Sequence, residues 1–275
     1  MNLLKASWTN AISKGFGKFA NKEFPPFCQN IINSAYVKFL GLDMSEFNPP
    51  HTYKSLNALF TRSFVKSREI DEDPKSFISP ADSFVTAQGK IKDDLALQIK
   101  GFCYSVDELL TDRFDKKNIK KLHNGEYMNF YLSPKDYHRY HMPADAKIKK
   151  IVYVPAALYP VNNTYLNTMP ELFIKNERVI LECEHEGKLF YMVLVGALNV
   201  GKMTISFEPK IETNVDKKEI EVFEYDDIEL KKGFELGMFK MGSTVLLFFQ
   251  KGFVKLEEKF EKKVRFGEKI AVKKA

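Results

Sequence analysis

The sequence predicts an α+β fold: a β-rich domain behind an N-terminal amphipathic helical segment. Three observations carry this. Apolar residues recur at helical spacing before residue 41, Val/Ile/Tyr/Phe-rich runs begin at about Ser79, and Gly, Asn, Asp and Pro separate those runs. In residues 2–20, Leu4, Trp8, Ile12, Phe16 and Phe19 follow steps of four and three, as one face of a helix does, among Lys5, Lys14 and Lys18. Pro25 and Pro26 break this helix. A second run places Ile31, Ile32, Ala35, Tyr36, Phe39 and Leu40 at helical spacing and stops near Gly41. Residues 1–41 hold five lysines against one acid, Glu23. A basic, aromatic-containing amphipathic segment can lie in a membrane interface or pack on a core, and its pattern alone allows both.

Two short helices are predicted next, at Tyr53–Phe64 and Val106–Leu110. The predicted strands are Tyr127–Leu132, Ile148–Val154, Arg178–Glu182, Leu189–Val195, Met203–Phe207 and Val245–Phe249, with turn signals at Asn124-Gly125, Glu186-Gly187 and Lys232-Gly233. There is no internal repeat and no low-complexity tract. The division that follows is a helical segment, residues 1–65, and a β-rich domain, residues 66–275.

The bulk numbers narrow the class. With 275 residues, 44% hydrophobic and 28% charged, the chain can bury a sizeable core and is not disordered. The net charge of +6 arises from 42 basic and 36 acidic residues. That excess suits an anionic surface without identifying one. Cys28, Cys103 and Cys183 are far apart and too few to pair completely, which predicts a reducing, cytoplasmic compartment. No run approaches the roughly 20 apolar residues of a membrane-spanning helix, and no secretory signal is expected in Met1–Phe16.

Three clusters bear chemistry. Among five histidines, His138 and His141 fall together in Leu132-Ser133-Pro134-Lys135-Asp136-Tyr137-His138-Arg139-Tyr140-His141-Met142-Pro143. Their spacing fits one side of a helical turn or a bend before Pro143. Zinc is disfavoured because no third-ligand pattern accompanies them and Arg139 intervenes, so no metal is expected. General acid–base work suits them better, since imidazole titrates near neutrality. The second cluster, Ser79-Pro80-Ala81-Asp82-Ser83, offers in Asp82 a carboxylate able to orient a histidine, or an ordinary turn residue. The third, Met241-Gly242-Ser243-Thr244, leads into an apolar strand. Gly242 lacks a Cβ, so strain at the Gly242–Ser243 bond is tolerated there, although most such triplets are plain turns.

Taken in this order, the clusters resemble the phosphatidylserine decarboxylase proenzyme family of bacterial type. The Ser243 tetrad is similar to that family's Leu-Gly-Ser-Thr self-cleavage motif, with Met241 replacing Leu. The Leu132–Pro143 stretch resembles its histidine motif almost throughout. Further matches are Tyr159-Pro160-Val161-Asn162, Leu172–Val179, and Val195-Gly196-Ala197 with Val200-Gly201. Ser83 departs from the family's usual Gly.

The resemblance implies a β-rich catalytic domain that cuts itself between Gly242 and Ser243. It gives a large chain, 1–242, and a small chain, 243–275, headed by a pyruvoyl group made from Ser243. The pyruvoyl is the electron sink that decarboxylation of an α-amino acid requires. It further implies His141 as the base of cleavage, Asp82 as its orienter, and His138 as proton donor to the α-carbon. Arg139, Asn162 and Arg178 are candidates for substrate binding. Phosphatidylserine in the membrane would be the substrate, with basic Lys5, Lys14 and Lys18 drawn to it. A homodimer on the cytoplasmic face of the cell membrane is expected, and no nucleic-acid partner. Two other classes remain beside this one. A pyruvoyl enzyme for a soluble amino acid leaves the N-terminus unexplained, and an uncleaved binding protein leaves Asp82, His138, His141 and Ser243 without work. A serine hydrolase is disfavoured because no Gly-x-Ser-x-Gly elbow surrounds Ser243.

Overall fold

A computed structural model describes residues 15, 17–99, 102–161, 163–198, 202–214, 219–240 and 243–274. Most of the first predicted helix, with Leu4, Lys5, Trp8, Ile12, Lys14 and Phe16, lies outside the described residues, as do Asn162, Met241 and Gly242. The second helix is Pro26–Leu40, opened by Pro at its first turn and closed by Gly41 in the left-handed conformation, φ 62°. The two short helices form at Leu56–Phe60 and Val106–Leu110.

The Pro26–Leu40 helix has polar groups at the centre of its packed face. Its buried residues are Gln29 and Asn33. Gln29 donates to Asn33 at 2.8 Å, and Asn33 donates to the carbonyls of Pro50 and Tyr53, both at 2.9 Å. Phe27, Ile31 and Phe39, one and two helical turns apart, stand 77%, 53% and 88% exposed. A polar ladder therefore pins this helix to the body while its aromatic stripe faces outward. Ile32, Tyr36 and Val37 pack on Ala20, Leu56 and Leu59 beside this ladder, so the helix is apolar on its outward face as well as its packed one.

The β-branched and aromatic runs form one eight-stranded antiparallel sheet. In spatial order its strands are Glu221–Leu230, Ala146–Val154, Arg178–His185, Lys188–Val195, Ser243–Phe249, Glu126–Leu132, Ser83–Lys90 and Lys263–Val264. Each predicted strand of this sheet is present, some lengthened by a few residues. The Glu186-Gly187 signal makes the two-residue hairpin between Arg178–His185 and Lys188–Val195, both residues having positive φ as that turn demands. Three sheet strands escaped the pattern: Ser83–Lys90, interrupted by Thr86 and Gln88; the acid-rich Glu221–Leu230; and the two-residue Lys263–Val264. The last two are the sheet's edges, where a charged or very short strand blunts pairing with another chain.

Ser243–Phe249 lies inside this sheet. It pairs with Glu126–Leu132 on one side and Lys188–Val195 on the other, and every residue of it is buried. Because side chains alternate, Phe248 meets Tyr104 on one face while Phe249 meets Phe77 and Phe190 on or beside the other. Val245 to Phe249 are each fully buried. At about 1.5–3 kcal/mol per large apolar side chain, the burial of these five is worth at most about 15 kcal/mol.

Among the described residues three smaller sheets accompany the large one. One joins Met203–Ile205, Glu235–Phe239 and Arg139–His141, and so ties the histidine stretch to the segment just upstream of Ser243. Among the described residues no helix is long and apolar enough to cross a membrane.

Candidate active site

The histidine stretch is a turn followed by a strand, rather than a helical turn. Ser133 N–H donates to the Asp136 carboxylate at 2.7 Å and Asp136 N–H returns to the Ser133 carbonyl at 2.8 Å, which closes the turn around Pro134. Arg139–His141 then runs as a strand against Glu235–Phe239. Residues three apart in an extended chain point to opposite faces, so the two imidazoles have different neighbours. His138 packs on Phe60 with ring centroids 4.0 Å apart. His141 lies flat against Phe266 at 3.7 Å.

Both rings are buried and neutral. In each, Nδ1 faces a backbone carbonyl, Asp136 at 2.8 Å for His138 and Gly233 at 3.0 Å for His141. A carbonyl only accepts, so Nδ1 carries the proton and Nε2 holds the basic lone pair. The His141 lone pair accepts from the Tyr137 hydroxyl at 3.0 Å. The His138 lone pair has no partner. Burial is the main cause pushing His138 down to about 3, helped by the Arg62 charge, and His141 down to about 4, helped by Arg139 and Arg68. At neutral pH each is a base. Asp136 moves the other way, pushed up to about 6 chiefly by its burial.

Ser243 opens the central strand with its backbone opposite Leu132, the residue at which the histidine stretch begins. Its hydroxyl is buried and has no hydrogen-bond partner. On the other approach, Phe239 N–H donates to the His138 carbonyl at 2.9 Å, four residues before Ser243. Ser243 and His138 are thus each tied into the backbone pairings around Leu132 and Phe239, and each has an unpartnered buried polar atom. Such atoms are costly, roughly 1–3 kcal/mol apiece, and a fold keeps them where they have a use.

Asp82 does not hydrogen-bond either histidine. Its carboxylate takes a two-pronged hydrogen bond from Arg68, at 2.5 and 3.2 Å, and accepts Phe266 N–H at 2.7 Å. The other edge of the Arg68 guanidinium grips Glu46, which Arg265 also holds. Asp82 fixes the backbone of the residue whose ring covers His141, so its influence on that imidazole runs through Phe266. Arg68 and Phe266 were not legible in the sequence. Their partners lie 14 and 184 residues away along the chain. Ser83, where the resembling family has Gly, is the first residue of its strand and is absent from the positive-φ positions, so serine fits there.

The remaining candidates divide. Arg139 is clamped to Glu235 at 2.6 Å and to the Thr61 carbonyl at 3.0 Å. Arg178 is buried and donates to the carbonyls of Leu109, Ile174 and Asn176. Desolvation pushes it down to about 10. Its neighbour Asn176 bonds Tyr159 and Gly196, so the Asn176-Glu177-Arg178 motif knots three segments together. These arginines hold the framework in this state, and neither presents a free fork to a ligand. Asn162 and Gly242 are outside the described residues. Cys28 and Cys103 are exposed and Cys183 buried, all three as thiols.

Known proteins match this chain along nearly its whole length. The family model described as phosphatidylserine decarboxylase matches residues 56–272. A phosphatidylserine decarboxylase proenzyme of Campylobacter jejuni is 44% identical over 270 residues, covering 96% of this chain and 99% of that protein. One from Helicobacter pylori is 44% identical over 265 residues, 95% of this chain and 96% of its own. A more distant one from Marinobacter nauticus is 37% identical over 264 residues, 94% and 92% of the two chains.

Proposed function

Because this chain belongs to the phosphatidylserine decarboxylase family, we propose that it cuts itself at Gly242–Ser243 and then converts phosphatidylserine to phosphatidylethanolamine. The observation that supports this reading is that Ser243 Oγ, at the start of the central strand, and His138 Nε2 are both buried without a hydrogen-bond partner. In the first reaction Ser243 Oγ attacks the Gly242 carbonyl carbon as a base takes the hydroxyl proton. The amide C–N bond breaks and an ester forms in its place. Loss of the Ser243 α-proton then expels the Gly242 carboxylate, and hydrolysis of the remaining dehydroalanine releases ammonia and leaves a pyruvoyl group. His141 is the proposed base, held by Gly233, Tyr137 and the Phe266 ring that Asp82 anchors. Ser243 fits the group it is to become: it is buried from water, fixed by strand pairing on both sides of its successors, and its side chain is committed to nothing else.

When formed, a pyruvoyl group supplies the carbonyl that accepts the electron pair left as carbon dioxide departs. The chain's own share is then binding, dry surroundings and a proton. His138 is placed in this proposal as the relay that returns a proton to the α-carbon: its open Nε2 lone pair first takes that proton up, from water or from the substrate's ammonium group, and then delivers it. Intact-mass measurement tests the whole reading. The purified protein is expected to give two chains, the smaller beginning at position 243 with a blocked N-terminus, and to release carbon dioxide from phosphatidylserine but not from free serine. A single full-length mass together with no decarboxylation would sink it.

A diacyl lipid remains in its bilayer, so the site must come to the membrane. The outward stripe of Phe27, Ile31 and Phe39 supports a peripheral membrane position through the Pro26–Leu40 helix. The cytoplasmic face and a homodimer are parts of the same proposal. Replacing all three residues by Asp is expected to cut co-sedimentation with phosphatidylserine vesicles at least about tenfold, each large apolar side chain being worth about 1.5–3 kcal/mol when buried. Self-cleavage should persist, since these side chains face outward. Undiminished vesicle binding would assign the stripe another role.

A further inference from the structure

Arg62 is a buried cation that makes no ion pair among the described residues, although Asp82 and Asp136 lie near enough to act on its charge. It is 3% exposed, with its guanidinium 4.4 Å above the Phe47 ring. One nitrogen, Nη2, donates to the Lys135 carbonyl at 3.0 Å and reaches toward that of Asp136 at 3.5 Å. Nε and Nη1 are buried with no hydrogen-bond partner, and among the described residues no carboxylate lies within ion-pair distance. Isolating a buried charge in this way is expensive unless a counter-ion arrives. The nearby acids are not free to serve. Arg68 holds Asp82 and Glu46, Arg265 also holds Glu46, and Asp136 accepts Ser133 N–H.

Arg62 lines a cavity of about 220 Å³ that also touches Tyr137 and the carboxyl-bearing Asp43, Glu46, Asp82 and Asp136, with Lys135, Lys263 and Arg265 around it. The cavity reaches Gly41, two residues beyond the exposed Phe39 of the outward-facing helix. Arg62 also stands beside the proposed proton donor. The Asp136 carbonyl that takes the His138 Nδ1 proton is the one Arg62 Nη2 approaches. In a serine phosphodiester only Cβ and the ester oxygen separate the reacting carbon from phosphorus. A group that grips the phosphate must therefore adjoin the group that handles the proton at that carbon.

From this juxtaposition we infer that Arg62 is the phosphate-binding residue of the substrate site, its free Nε and Nη1 edge receiving two phosphodiester oxygens while Lys135, Lys263 and Arg265 draw the anion in. The inference rests on the decarboxylase reading above. A planar fork suits two oxygens of one phosphate as a lysine does not.

Arg62→Lys and Arg62→Met test it, using self-cleaved protein whose blocked small chain is verified by mass. KM for phosphatidylserine in mixed micelles should rise at least about tenfold, the equivalent of one charged hydrogen bond, with kcat within about threefold. Glycerophosphoserine should compete with substrate in the wild type and weaken in parallel in the variants. Unchanged KM in cleaved variants overturns the assignment. Inorganic phosphate competing as tightly as glycerophosphoserine overturns it as well, marking a general phosphate site instead of a headgroup site. Should the Arg62 variants fail to fold, the exposed pair Lys135→Gln with Lys263→Gln decides: KM rises if the cavity takes the phosphate and stays fixed if it does not. A wild type inert toward phosphatidylserine would be a different failure, that of the decarboxylase reading itself.

Discussion

Ser243→Ala is expected to run as one full-length band on a denaturing gel and to release no carbon dioxide above background. The substitution removes the only atom that can carry the acyl group from nitrogen to oxygen, and with it the precursor of the electron sink. It should leave the fold intact. Ser243 is fully buried and its hydroxyl bonds to nothing, so deleting the oxygen breaks no contact and removes an unsatisfied group worth about 1–3 kcal/mol. Thermal unfolding of the variant should therefore begin no lower than that of uncleaved wild-type precursor. Two bands from Ser243→Ala, or a small chain that starts elsewhere, would place the cut at another bond.

The second large effect separates the histidines. His141→Ala should remain uncleaved. His138→Ala should cleave, form its blocked small chain, and then decarboxylate at least about a hundredfold more slowly, the usual scale for losing a general acid. The opposite-facing rings make independent phenotypes the natural expectation. For His141 to act it must exchange the Tyr137 hydroxyl for that of Ser243. That trade concerns one neutral hydrogen bond, about 1 kcal/mol net, which is small beside a chemical barrier. His138 needs no such exchange, its Nε2 being free. If His138 is instead the cleavage base, the two phenotypes will appear reversed, and the gel distinguishes the outcomes directly.

How much of this was legible beforehand depended on the range of the interaction. The sheet was readable because Val, Ile, Tyr and Phe crowd into short runs whose partners are similar runs, and Asn124, Glu186 and Gly233 mark their turns with positive φ. The edge strand Glu221–Leu230 was not, since solvent exposure lets acids interrupt it, where Ser243–Phe249 in the interior keeps a continuous apolar run. The histidines were found by residue type and motif, but their spacing was read as helical turn or bend, and period-two geometry sent the rings apart. Asp82 was found as a residue and not as a contact. Nothing local announces that a carboxylate will be met by Arg68 and by the Phe266 backbone. Arg178 illustrates the converse. Its motif identified it, while its work is to bind three carbonyls, a role that no side-chain type predicts. Arg62 left no signal, because what distinguishes it is the partner it lacks.

With the proposed cut at Gly242–Ser243, the interior position of Ser243–Phe249 makes maturation a one-way passage. Before the cut, the sheet assembles within a single polypeptide, and every strand finds its slot at no concentration penalty. Afterwards the same slot must be filled by a separate peptide of residues 243–275, which enters between two strands already hydrogen-bonded to it on both sides in the finished molecule. Heat or denaturant that ejects the peptide should leave a large chain with an open apolar trench, prone to aggregate before the pair can meet again. The durability of the mature protein is then governed by how slowly that peptide escapes, and only the intact precursor retains the means to renature.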